Sequence, residues 1–345
     1  MAIQRSYNLL LLFLSLFLFS CRENDSDNNP ASTYDTGILF INEGPFQNGS
    51  GSIFHYNRTT GEMTDDIFAL ANTGAKVGNV LQSASNWQGK TYLMVNNSNR
   101  IYVVDPKSFA FLDSIKGISQ PRYFMGISAQ KAVVSSWDKG VSFINLPANQ
   151  VANSVATGNG ADKMLLDANT LYVLNSGGFV KDSTITLVDV LSEKVIKKIK
   201  AAPSPNSIVK AGNSTWVLCG GYWDLPGEGT LIEYKFEQIV NTYKVPKFAS
   251  NLIVSSDGTE LFFTAENAIF RKSIPTPSEQ PQPFLKRKFV FPYALNQDPI
   301  SGKLLMSDAG DFSSKSKTFF IDPNTGTITD SVLTGIATNG FLFGN

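Results

Sequence analysis

Seven short segments place a polar or phenolic side chain directly after a proline or small residue: Asn79, Arg122, Asp162, Asn206, Asn251, Tyr293 and Asn339. Four of the seven are Asn, and an amide offers hydrogen-bond donors and acceptors together. If they converge, these side chains suit a polar ligand of little net charge better than a phosphate or a metal ion. The other reading is that they cap backbone groups and hold water, as Asn commonly does at turns. A second group of residues suits binding through contact area. Phe46, Trp137, Phe179, Tyr222, Trp223 and Phe312 stand in Gly-, Ser- or Asp-rich stretches that read as loops. Flat rigid side chains on loops bury much area with little entropy to lose, so these are candidate ligand walls. Trp87 lies in a polar turn on the opposite face by strand count, and Trp216 reads as a core strand residue.

Other chemistry is poorly supplied. One histidine, His55, and two cysteines far apart cannot build the His/Cys clusters of zinc or copper sites. No metal and no cofactor are expected. His55 lies inside a strand-like run, which argues against its serving as the base of a nucleophilic triad. Cys219 sits in Thr215-Trp216-Val217-Leu218-Cys219 and reads as a buried, inert thiol. Lys+Arg and Asp+Glu both total 29, so no basic excess exists to neutralise a nucleic-acid backbone. The glycines of 220–229 do not match phosphate-cradling spacing. Asp138, Asp162, Asp182, Asp224, Asp308 and Asp311 remain as carboxylates that one face could gather for glycosidase-like chemistry.

The elements that must position these residues are short strands. An apolar run closing on a polar residue recurs at Ile53–Asn57, Ile101–Asp105, Val141–Asn145, Ile185–Asp189, Leu231–Lys235, Ala268–Lys272 and Thr318–Asp322. The intervals between the last residues of these runs average about 44, the size of one four-stranded propeller blade. The expected fold is therefore all-β, a seven-bladed β-propeller of four-stranded antiparallel blades over residues 36–345. Closing the circle removes the ends of the array. Phe341-Leu342-Phe343 is expected to pair in the blade begun by Gly37-Ile38-Leu39-Phe40-Ile41. Equivalent positions of rotated blades form a ring, which turns the seven polar residues into neighbours around one channel.

Ahead of the repeats, Arg5 precedes an apolar run from Leu9 to Phe19 that ends in Ser20-Cys21. The run is too short to span a bilayer and reads as a secretory signal, residues 1–20. The ending Leu18-Phe19-Ser20-Cys21 resembles the lipobox of bacterial lipoproteins, which makes Cys21 the expected lipidation site. Residues 21–35 are polar and aperiodic, as a flexible tether would be. Membrane attachment is then through lipid alone.

The lipobox, the acidic tether and repeats carrying Pro205-Asn206-Ser207-Ile208, Trp216-Val217-Leu218 and Leu231-Ile232-Glu233-Tyr234 resemble the YncE-like propeller lipoproteins of Bacteroidetes cell surfaces. Some members of that family bind cobalamin outside the cell and pass it to a TonB-dependent outer-membrane transporter. The resemblance implies an outer-membrane lipoprotein facing the medium. It also implies a non-enzymatic role in capturing a polar, bulky nutrient, with cobalamin as the best single guess. No binding residue is carried over from it. The alternatives are a carbohydrate-active hydrolase or lyase using loop-face carboxylates, and a scaffold whose aromatic loops dock a protein.

Overall fold

The computed structural model describes residues 33–285 and 287–344, and the leader, Cys21 and tether residues 21–32 lie outside them. Alternation of period two organises the packing, because successive strand side chains point to opposite faces of a sheet. In strand Lys90–Val95, Tyr92 and Met94 face the blade that follows, while Leu93 and Val95 face the one before. The same division recurs in strand Glu260–Ala265, where Leu261 and Phe263 pack one way and Phe262 the other. A strand in a blade is covered on both faces, so its apolar runs are nearly continuous.

Seven sheets of four antiparallel strands result, as the repeat predicts. Six are simple meanders read outward from the axis. Their innermost strands are Leu81–Trp87 in blade 2, Pro121–Gly126 in blade 3 and Ala161–Asp167 in blade 4. Blades 5, 6 and 7 begin with Pro205–Ala211, Ser250–Val254 and Pro292–Gln297. Blade 1 is composite: the last strand, Thr338–Phe343, lies innermost and pairs with the first, Ile38–Asn42, so that Phe40 faces Phe341 and Leu39 faces Leu342. The recurrent apolar runs of the sequence form the third strand of every blade.

Seven apolar clusters hold the circle, one between each pair of neighbouring blades, including the pair that closes it. Each fully buried Leu, Ile, Val or Phe contributes roughly 1.5–3 kcal/mol. The seam is also locked by Arg58, which binds the blade 7 carboxylate Asp298 at 2.7 Å and donates to the Gly37 and Gly344 carbonyls, which flank the first and last strands. Blade 1 departs from the pattern at its rim. Its outer strand is only Met63–Thr64, followed by helix α1, Ile67–Ala71, which drops Ile67 and Phe68 into the core between blades 1 and 2. No helix among the described residues is long and apolar enough to cross a membrane.

Candidate functional site

Each innermost strand starts with the same irregularity. Its first residue pairs normally, then a β-bulge leaves one or two residues outside the ladder before pairing resumes. A bulge re-aims side chains and leaves backbone groups unpaired. In six blades the loop that follows the second strand donates its first amide to the carbonyl just before the innermost strand. Asn96 binds Val80, Trp137 binds Gln120, Ser176 binds Gly160, Gly220 binds Ser204, Ala309 binds Phe291 and Glu43 binds Ala337. Loops and bulges therefore share one face of the disc. Gly160 shows how tight the junction is, since a Cβ there would stand 2.3 Å from the Gly178 amide nitrogen.

The residue two places after that carbonyl occupies the bulge. It is Arg122, Asp162, Asn206, Asn251, Tyr293 and Asn339 in six blades, as the sequence predicts, but in blade 2 it is Gln82 and not Asn79. The expectation for Asn79 failed because the residue before the strand, Val80, adopts a left-handed φ of 57°. A β-branched residue rarely does so, and nothing in its type marks the spot. Asn79 lies outside the strand and donates instead to the Pro45 and Gly49 carbonyls, while Asn97 donates to its Oδ1.

On this face opens a cavity of about 650 Å³ lined by Gln82, Arg122, Tyr123, Lys163, Asn251 and Asn339, with Glu43 and Tyr293 at its wall. Phe46, Trp137, Phe179 and Phe291 rim it. Arg122 is its hub. The guanidinium lies 4.0 Å over the Trp137 ring, binds Asp162 at 3.4 Å and donates to Gln82 Oε1. Asp162 Oδ2 also accepts from Trp137 Nε1 at 3.0 Å and Ser176 Oγ at 3.2 Å. Across the cavity, Glu43 accepts from the Tyr293 hydroxyl and the Asn339 amide, each at 2.8 Å. Burial pushes the Glu43 carboxyl above its ordinary pKa, against the pull of those donors and of Arg122. Burial likewise holds the Lys163 ammonium below the usual lysine range, with Asp162 opposing and Arg122 assisting.

The amides of the ring do other work. Asn206 donates to the Ala249 carbonyl, Asn251 to the Tyr293 carbonyl, and Asn339 to those of Leu81 and Gln82, in each case on the next blade. They staple neighbouring blades where bulging frees a carbonyl, so Asn206, Asn251 and Asn339 follow the capping alternative for their donors. Asn339 Oδ1 is buried and has no partner among the described residues.

The aromatic residues divide as well. Trp137 and Phe179 meet edge to face at 5.3 Å, and Phe312 packs on Phe291 and Tyr293 at 4.8 and 4.9 Å. Tyr222 and Trp223 do not line the cavity. Their loop is held outward by the Lys181–Asp224 ion pair at 2.7 Å and by Lys247, which donates to the Trp223 and Leu225 carbonyls. The stretch at Trp137 is a short turn between strands Lys131–Ser136 and Gly140–Asn145. Of the six aspartates, Asp162 alone joins the cavity network. Asp182 accepts from the Asn159 and Ser183 amides, Asp308 from those of Val290 and Phe291, and Asp311 from that of Ser313, while Asp224 pairs with Lys181. Glu43, Gln82, Tyr123 and Lys163 were missed. The signal for Tyr123 and Lys163 was their place directly after a ring residue, where a two-residue bulge turns both side chains inward.

Other expectations hold. Cys219 is fully buried with its thiol pushed up to about 12, and Trp216 is core. His55 is buried against the Thr36 carbonyl at 2.7 Å. Trp87 packs away from the cavity, its indole donating to Ser128.

Fold and site together define a seven-bladed β-propeller with an axial cavity under the loops that join second to third strands. The chain belongs to the DUF5074 family, described as a domain of unknown function, whose sequence profile matches residues 36–284. Among solved structures, the chain is similar to a quinonprotein alcohol dehydrogenase-like protein from Bacteroides thetaiotaomicron. That match has a TM-score of 0.69 and 15% identity, and covers 91% of this chain and 79% of that one. The periplasmic gluconolactonase of Pseudomonas aeruginosa matches with a TM-score of 0.67, 12% identity and coverage of 90% and 99%. A putative 6-phosphogluconolactonase from Bacteroides fragilis gives 0.66 and 12%, covering 89% and 98%. No curated protein matches the chain.

Proposed function

We propose that this propeller is a non-catalytic binding lipoprotein of the outer-membrane surface that captures a polar, bulky nutrient and delivers it to a TonB-dependent transporter. The observation that carries the reading is the axial cavity, polar and charged within and aromatic at its rim. A volume of this order holds one drug-sized molecule or one end of a larger one. The Ser20-Cys21 lipobox supports the anchor, and the likeness to YncE-like propellers makes cobalamin the ligand to try first. Calorimetry of the purified protein with cobalamin is the test, compared with Trp137→Ala/Phe179→Ala. Heat with the parent and at least a tenfold weaker fit in the variant are expected. No heat with the parent rejects cobalamin.

A second reading has its own observation. Glu43 is raised and Lys163 lowered by burial in one cavity, whose Arg122 and Trp137 bind Asp162 behind the wall, and groups displaced in this way serve acid–base chemistry. A hydrolase or lyase acting on carbohydrate would show turnover on a glycan panel that Glu43→Gln or Asp162→Ala abolishes. The lactonase names of two structural neighbours stand at 12% identity, so they speak for fold and bring no substrate.

A further inference from the structure

The charges of the cavity do not balance donor for acceptor. Asp162 Oδ2 already receives Arg122, Trp137 and Ser176. Both oxygens of Glu43 are taken, by Tyr293 and Asn339. On the donor side, Lys163 makes no hydrogen bond or ion pair among the described residues. The nearest ring, that of Tyr123, lies 6.0 Å from its amine. The Nε of Arg122 is buried and has no partner among the described residues. Lys163 lines the open space of the cavity, so an anionic group of a ligand there can supply the partner it lacks.

We infer that the cavity takes a carboxylate-bearing ligand, its anionic group against Lys163 and Arg122 and its flat apolar part against Trp137 and Phe179. This deepens the capture reading and rests on it by naming the chemical class the cavity admits. Arg122 is paired with Asp162 and Glu43 is occupied by its own donors, so Lys163 is the one cationic group of the cavity without a partner among the described residues, which suits a ligand with a single anionic group. A phosphate monoester, near two negative charges at neutral pH, overshoots it. The Trp137–Phe179 pair beside Arg122 offers a flat partner area suited to an aromatic or conjugated body.

The matched probes are benzoate, benzamide and phenyl phosphate, titrated into the purified protein and followed by chemical-shift changes of cavity residues. Benzoate should bind at least tenfold more tightly than benzamide and more tightly than phenyl phosphate. Lys163→Met, with its fold checked by thermal melting, should lose the preference over benzamide, and Lys163→Arg should keep it. Equal binding of benzoate and benzamide, stronger binding of phenyl phosphate, entry of no probe, or an unchanged preference in Lys163→Met would each overturn the inference. A carboxylate preference without cobalamin heat keeps this subsite and discards cobalamin. Cobalamin heat without a carboxylate preference discards only the subsite.

Discussion

Blades 2–4 and blades 5–6 begin their innermost strands with the same bulge, yet the side chain placed there does different work. In blades 5 and 6, Asn206 and Asn251 reach a carbonyl of the next blade and are satisfied by it. In blades 2–4, Gln82, Arg122 and Asp162 reach one another across blades, and the backbone contact is left to Ser83, which donates to the Arg122 carbonyl at 2.6 Å. A neutral amide can settle against one carbonyl. A charged group needs a charged partner in a dry site, so the second sector becomes a network with donors left open. Rotational repetition builds the staple, and departure from repetition builds the site.

The widest separation between the sectors should come from Arg122→Ala against Asn206→Ala. Arg122 and Asp162 are mostly buried, at 13% and 10% side-chain exposure. Removing the guanidinium strands a carboxylate, at a cost of about 3 kcal/mol. The estimate is at the low end because Trp137 and Ser176 still donate to Asp162. Asn206→Ala leaves one carbonyl without its donor and should cost about 1–2 kcal/mol. Urea midpoints measure both. Equal losses would mean that the two sectors are one structural ring.

How far this division could be read in advance depends on which residues carry a local mark. The blades were legible because the apolar runs recur at a fixed length and each sheet must be covered on both faces. The ring was legible where Pro121, Pro205 or Pro292 marks the strand start. It was lost in blade 2, where left-handed Val80 carries no such mark. Glu43 was missed because it stands in the loop of Phe46 with nothing local to mark it, although its carboxylate turns inward to a phenol of blade 7 and the amide of the last strand, contacts 250 and 296 positions away. Long-range closure of that kind leaves no trace in spacing. Nor does spacing tell an Asn that meets a ligand from one that meets a carbonyl.

A smaller effect, of opposite sign, is expected at Glu43. Its folded pKa lies above the ordinary value of 4.5, so the folded state holds the proton more tightly than the unfolded chain. That contribution is full at low pH and is lost as pH rises from about 4.5 through the folded value. Glu43→Gln keeps an acceptor for Asn339 and removes the titration, so the variant should gain on the parent as pH rises toward neutrality. Asp298 at the seam runs the other way. Burial raises its pKa, but Arg58 and Ser301 outweigh this and hold it low, so its stabilisation is lost as pH falls below about 3.8. Melting temperatures across pH for Glu43→Gln and Asp298→Asn should diverge from the parent in opposite directions. A Glu43→Gln curve parallel to the parent would place the carboxyl in water and contradict its burial.

The smallest effect belongs to Trp223. Its side chain is 81% exposed, and the Lys247 and Lys181 contacts hold its loop through backbone carbonyls and Asp224 rather than through the indole. Trp223→Ala should therefore change stability by no more than about 0.5 kcal/mol and leave benzoate affinity unaltered. Trp137→Ala, by contrast, removes the ring under Arg122 and a donor to Asp162 and should weaken binding at least tenfold. If a bulkier ligand such as cobalamin lost affinity equally in both variants, its contact would extend from the charged sector to the loop of blade 5. The boundary between sectors would then describe the cavity floor alone, and the exposed indole would become the outer wall of a larger site.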